Sequence, residues 1–297
     1  MAIDLDGILP PITTPFNAAG DLDLDALRRN IERYNTTGLR GYVAFGSNGE
    51  AVHLDAAERE RILRTVQEAA APGMALVAGI NELSARAAHA AIRQAADAGA
   101  DAALVITPYF YKGMMSQEVL REFFLEVASE STLPILLYNV PQNTGIVLEP
   151  ETIAELSGEE KIIGVKDSSG NLKAMSETLR MVSDEFNVLV GNAGACYSAL
   201  SMGARGGILA VACAAPRPAV ALHAAVRAGD DERARELQEA LQPLGRAVTV
   251  EHGIPGLKAS LDMAGLDGGS PRSPLRPLTE EARAQLQAVM QATGFFD

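Results

Sequence analysis

Lys166 is the residue to begin from. It closes a run of apolar and glycine positions, Ile162-Ile163-Gly164-Val165, and Asp167-Ser168-Ser169 follow it. An apolar run bounded by polar residues reads as a buried strand, so Lys166 falls at that strand's C-terminal end. A lysine held there, partly out of water, loses part of its preference for the charged form. It can then act as an amine nucleophile toward a carbonyl. Tyr138 ends a second such run, Pro134 to Tyr138, where a phenol can relay a proton. Gly46-Ser47-Asn48-Gly49-Glu50 follows a third, Gly41 to Phe45. Its two glycines let the backbone turn sharply and present successive N–H groups to an anion, and Ser47 and Asn48 add side-chain donors. Each has a plainer role alone: a lysine reaching water, a packed tyrosine, an ordinary turn. Brought together they are an amine nucleophile, a proton relay and an anion cradle. That set can condense with the ketone of a 2-keto acid, remove a proton, and carry the enamine into making or breaking a carbon–carbon bond.

Bringing three strand ends together requires a particular frame. Apolar runs alternate with amphipathic stretches eight times over about 220 residues. Gly7 to Thr14 reads as the first strand, with Pro10 and Pro11 awkward in it. Asp23 to Tyr34 has Leu24, Leu27 and Ile31 at helical spacing, and Asp55 with Glu58 makes a capping box for a helix running to about Ala70. Strands at Met74 to Ala78 and Ala102 to Ile106 flank a helix opened by Ser84. A helix from Ser116 to Ser129 places Val119, Leu120, Phe123, Phe124 and Val127 on one face. Strands at Val188 to Val190 and Gly207 to Val211 complete the series. Short connections and strands apolar on both faces predict a closed parallel (β/α)8 barrel over residues 1–228, with active groups at the strands' C-terminal ends. Residues 229–297 then read as a helical extension, with segments at Asp231 to Leu241, Ile254 to Met263 and Thr279 to Thr293.

Composition removes whole classes of function. The 25 basic and 38 acidic residues leave a net charge of −13, which disfavours nucleic acid and anionic membrane as partners. An anionic substrate must therefore be caught by local dipoles or a few placed donors. Two cysteines, Cys196 and Cys213, are too few for a disulfide framework and read as buried free thiols. The acidic N-terminus lacks a signal-peptide pattern, no run is long enough to span a membrane, and a cytoplasmic location is expected. No two of the four histidines are spaced as helical ligands and no Cys-x-x-Cys occurs, so no protein metal site is expected.

The motifs GSNGE, TPYFYKG, YNVPQNTG, GVKDSSG and GIPGLK, in this order, resemble the dihydrodipicolinate synthase / N-acetylneuraminate lyase family of class I aldolases. The resemblance spans Gly7 to about Phe296. It implies a TIM barrel with a C-terminal helical part, a homotetramer, and no metal or organic cofactor. It implies that Lys166 forms a Schiff base with pyruvate or another 2-keto acid and that Tyr138 relays protons. It implies further that Ser47 and Asn48 hold the carboxylate and that Gly191 and Ile208 line the pocket. Two positions depart from the family. Asn143 stands where its synthases usually carry an arginine for the carboxylate of aspartate semialdehyde. Phe110 stands where a tyrosine commonly reaches across a subunit interface, leaving Tyr111, Tyr109 or water to serve. These features look closest to the 4-hydroxy-2-oxoglutarate aldolase branch, which yields pyruvate and glyoxylate. A synthase using aspartate semialdehyde, a 2-keto-3-deoxy sugar acid aldolase or dehydratase, and a non-catalytic keto-acid-binding protein are the alternatives.

Overall fold

The structure, a computed structural model, describes residues 3–296. Eight short strands form its centre: β1 Ile8–Leu9, β2 Gly41–Ala44, β3 Ala75–Ile80, β4 Ala102–Ile106, β5 Ile135–Asn139, β6 Ile162–Asp167, β7 Asn187–Val190 and β8 Gly206–Ile208. All neighbours pair in parallel, in the order β1-β8-β7-β6-β5-β4-β3-β2. The sheet closes on itself through a bridge from Pro11 to Val43. There the Val43 N–H donates to the Pro10 carbonyl and the Ile12 N–H to the Val43 carbonyl, both at 3.0 Å. The result is a TIM barrel.

The helices ring it: α1 Leu24–Tyr34, α2 Ala56–Ala69, α3 Ala85–Asp97, α4 Gln117–Glu130, α5 Pro141–Thr144, α6 Pro150–Leu156, α7 Leu172–Met181, α8 Cys196–Ser201, α9 Val211–Ala214 and α10 Pro216–Ala228. Beyond them come α11 Asp231–Arg246, α12 Gly253–Met263 and α13 Glu280–Ala292. Local chemistry starts several of them. Asp23 caps α1, Ser84 caps α3, and Asp55 with Glu58 forms a complete capping box on α2. Among the described residues no helix is long and apolar enough to cross a membrane.

Two apolar layers result from the strands facing both ways. Leu9, Val43, Val77, Leu104, Leu136 and Leu189 fill the barrel interior, and Tyr138 and Ile208 belong to the same cluster. Ile8, Ala44, Val105, Leu137, Val165 and Val188 pack outward against the helices. Burying a side chain of this kind contributes roughly 1.5–3 kcal/mol, so this double layer is what fixes the strand ends.

Four details differ from expectation, each for a physical reason. The first strand shrinks to Ile8–Leu9 because Pro10 and Pro11 have no N–H to give. The eighth stops at Ile208, and Val211 opens α9 instead. Its glycines answer to close approach: a Cβ on Gly206 would lie 2.1 Å from the Gly7 carbonyl oxygen. Val119 is 37% exposed, while Leu120, Phe124 and Val127 make the buried stripe of α4. Finally, α11 runs past Leu241 and through Pro243 to Arg246, then widens into a π turn over Ala247–Glu251.

Candidate active site

Strand register builds the centre of the site. Tyr138 on β5 and Lys166 on β6 are direct parallel partners, both at the C-terminal ends. Their side chains point the same way, into the barrel mouth, because residues level on adjacent strands share a face. Lys166 is 4% exposed, and its Nζ lies 4.2 Å from the centroid of the Tyr138 ring. An ammonium over the negative face of an aromatic ring is attracted to it.

The turn after β2 supplies the next group. Ser47 Oγ lies 3.5 Å from the Tyr138 hydroxyl. Asn143 Nδ2, from the short α5, donates to Ser47 Oγ at 2.8 Å. Ser47–Gly49 forms a single 3₁₀ turn with Gly46 as its cap. Its N–H groups at Gly49 and Glu50 bond backward to Gly46 and Ser47, whereas those of Ser47 and Asn48 take no partner among the described residues. Two free donors at the start of a turn suit a carboxylate. The turn is pinned by Thr14, whose Oγ1 donates to the Gly49 carbonyl at 2.7 Å.

Gly191 and Ile208 close the far side. Ile208 is buried in the interior cluster that holds Tyr138. Gly191 lies against Ser168, and a Cβ there would fall 2.0 Å from Ser168 Oγ. Ser168 is a residue that the sequence reading passed over as the start of a loop. It is among the neighbours that lower the pKa of the Tyr138 phenol. Its only signal in the sequence was its place two positions after Lys166.

The electrostatics of the phenol follow from these neighbours. Burial alone would push Tyr138 up. The Lys166 charge, with hydrogen bonds from Ser47, Lys166 and Ser168, outweighs burial and holds the phenol below the ordinary tyrosine value. Next to Lys166, burial pushes the Asp167 carboxyl up, although Ser169 and Asn139 hydrogen-bond to it. Both cysteines are buried free thiols, and burial pushes Cys196 up to about 12.

Lys166, Tyr138, Ser47 and Asn143 thus meet, with Gly191 and Ile208 in the surrounding wall. Phe110 and Tyr111 do not join them. They are 72% and 69% exposed, edge to face at 5.1 Å on the loop after β4, with Met114 exposed beside them. Tyr109 is the aromatic residue of that loop that packs on the interior cluster. Among the described residues, no three His, Cys, Asp or Glu side chains group as metal ligands.

This arrangement can present an amine, a phenol with an enhanced tendency to ionise, and a free N–H pair to one small keto acid. Comparison with known proteins agrees with that chemistry. The model of the dihydrodipicolinate synthetase family matches residues 4–293. A 4-hydroxy-tetrahydrodipicolinate synthase of Methanothrix thermoacetophila is 38% identical over 285 residues, 96% of this chain and 95% of that protein. One from Pseudomonas syringae pv. syringae is 34% identical, covering 97% of this chain and 98% of its own. Among solved structures, dihydrodipicolinate synthase DapA-2 of Bacillus anthracis superposes with a TM-score of 0.93 at 30% identity over 98% of this chain and 99% of that one. A prophage protein of E. coli K12 from the same family, solved in complex with pyruvate, gives 0.91 at 29% identity over 98% and 99%. The first three carry the synthase name, and none supports the 4-hydroxy-2-oxoglutarate aldolase branch that the motifs suggested.

Proposed function

Since the chain belongs to the dihydrodipicolinate synthetase family, we propose that it joins pyruvate to aspartate semialdehyde through an imine on Lys166. Family membership makes it an enzyme of the Schiff-base pyruvate aldolase type. The register pair of Tyr138 and Lys166, with Ser47 within reach of the phenol, carries the imine, and the names of the relatives favour the synthase.

In this reading the pyruvate carboxylate lies against the free N–H groups of Ser47 and Asn48. The Lys166 amine attacks the ketone carbon to give a carbinolamine, and loss of water leaves the imine. Removal of a proton from the methyl carbon gives an enamine, whose carbon attacks the incoming aldehyde. Each step moves a proton, and the Tyr138 phenol, held below its usual range, is the group placed to carry them. The amine of aspartate semialdehyde can then displace Lys166 from the imine. That closes a six-membered ring containing nitrogen and frees the enzyme.

Asn143 stands where an arginine was expected for the second carboxylate. A different cation can serve. In the loops that follow the eight strands, Lys112 is the one lysine or arginine. Its Nζ lies 3.5 Å from where a Cβ on Gly145 would stand, two residues beyond Asn143. It forms no ion pair among the described residues. The exposed Phe110, Tyr111 and Met114 support covering of this loop by a second copy, which sedimentation would detect as an oligomer.

The test is borohydride reduction with pyruvate, peptide mapping, and product analysis with two aldehydes. An adduct on the Lys166 peptide and turnover with aspartate semialdehyde are expected. Absence of an adduct removes the imine. An adduct with turnover of glyoxylate alone removes the synthase.

A further inference from the structure

The turn that offers Ser47 and Asn48 is bracketed by two residues in an unusual conformation. Phe45 precedes it at φ 60° and Glu50 follows it at φ 54°, both in the left-handed region and neither a glycine. Side chains other than glycine occupy this region when the surroundings hold them there. What holds Glu50 comes from the far end of the chain.

The Glu50 side chain is wholly buried. Its Oε1 lies 2.5 Å from Lys258 Nζ on α12. Its Oε2 accepts from the Arg272 backbone N–H at 2.8 Å and pairs with His53 Nδ1 at 3.2 Å. Lys258, equally buried, donates to the Ser270 carbonyl at 2.8 Å and lies 4.5 Å from the centre of the Phe16 ring. The Arg272 guanidinium lies 4.1 Å from the same ring and grips Glu58 and the carbonyls of His53 and Gly20. Glycine in position 50 would make the turn without this machinery. A carboxylate there ties the turn to the extension.

We propose that Glu50 and Lys258 are positioning residues for the keto-acid carboxylate. Through them the C-terminal extension sets the backbone in which Ser47 and Asn48 keep their N–H groups free. Neither residue touches the keto acid. The inference rests on the reading that this turn receives the carboxylate.

An ion pair buried only for packing would affect stability and nothing else. A change in how well the turn recognises an anion separates the two roles. Single variants leave one unpaired buried charge and carry a risk of misfolding. The double variant Glu50→Gln/Lys258→Met leaves none. Borohydride trapping of the protein is measured against concentration for pyruvate and for its neutral methyl ester.

For the native protein, saturable trapping on Lys166 with preference for pyruvate is expected; no trapping overturns the imine reading and the positioning role with it. For the folded double variant, half-maximal trapping should need about tenfold more pyruvate. The value for the ester should stay within about twofold, so the preference for the anion collapses. A folded double variant with a lower Tm but the native preference overturns the positioning role alone.

Discussion

Tyr138 and Lys166 are level on adjacent strands, with the lysine nitrogen 4.2 Å from the centre of the tyrosine ring. One pairing between β5 and β6 therefore places the proposed nucleophile and proton carrier together, and neither can shift without breaking sheet register. A slip of one residue in either strand would turn that strand's residue to the helix-facing side.

The phenol should titrate with its neighbour. With Lys166 present, the ultraviolet signal of one tyrosinate should develop below pH 10 and vanish in Tyr138→Phe. In Lys166→Met the dominant remaining influence is burial, which disfavours the anion, so the same titration should move above the ordinary tyrosine value. A titration unmoved by that substitution would show that the lysine charge does not reach the phenol.

Gly191 is a matter of space. In Gly191→Ala the new methyl would meet Ser168 Oγ at 2.0 Å and Ser168 Cβ at 3.0 Å. Overpacking of this kind costs about 1–3 kcal/mol, and here the displaced serine borders the phenol. Trapping of pyruvate should weaken at least several-fold. Removing the obstacle in Gly191→Ala/Ser168→Gly should recover most of the lost stability, read as Tm; no recovery would mean that the strain lies elsewhere.

Lys112 should discriminate by charge. In Lys112→Met the KM for aspartate semialdehyde should rise about tenfold, the worth of one charge-assisted hydrogen bond. An uncharged aldehyde of similar length should show a much smaller change. Equal effects on both would assign Lys112 to loop structure rather than to recognition.

Acid should loosen the link between α2 and the extension. Hydrogen bonds from Arg272 hold the Glu58 carboxyl below its usual value, against the opposing effect of burial. A carboxylate depressed in the folded state adds stability that is full above its unfolded pKa of about 4.3. That stability is lost as pH falls through the folded value. Arg272→Met should therefore lower stability at neutral pH by about 2–4 kcal/mol and flatten the acid limb of the stability curve. A parallel downward shift with the acid limb intact would show that Glu58 is not the group responsible.

What the sequence disclosed was whatever short stretches decide. The capping box at Asp55 and Glu58 needs only four residues, and the strand ending in Lys166 only a run of apolar neighbours. Both were legible. The close approach of Ser168 to Gly191 was not, because it depends on how two strands line up. The contacts of Glu50 were hidden for the same reason. GSNGE and GIPGLK each stood out as motifs, yet nothing local says that Glu50 and Lys258 meet. The end of β8 was misplaced because Leu209-Ala210-Val211 has the composition of a strand, whereas the chain turns there into α9, with the Ala212 N–H bonded to the Leu209 carbonyl.

The partners of Glu50 also impose an order in time. The bond from the Arg272 N–H to its carboxylate joins positions 222 residues apart. At a ribosomal rate of 5–20 residues per second, roughly ten to forty-five seconds separate the emergence of the two ends. Through that interval the nascent barrel holds an acidic side chain without its cation, and the turn beside it lacks its support. If Glu50 and Lys258 position the turn as proposed, competence to take up the keto acid is acquired only once the segment from Lys258 to Arg272 has been made.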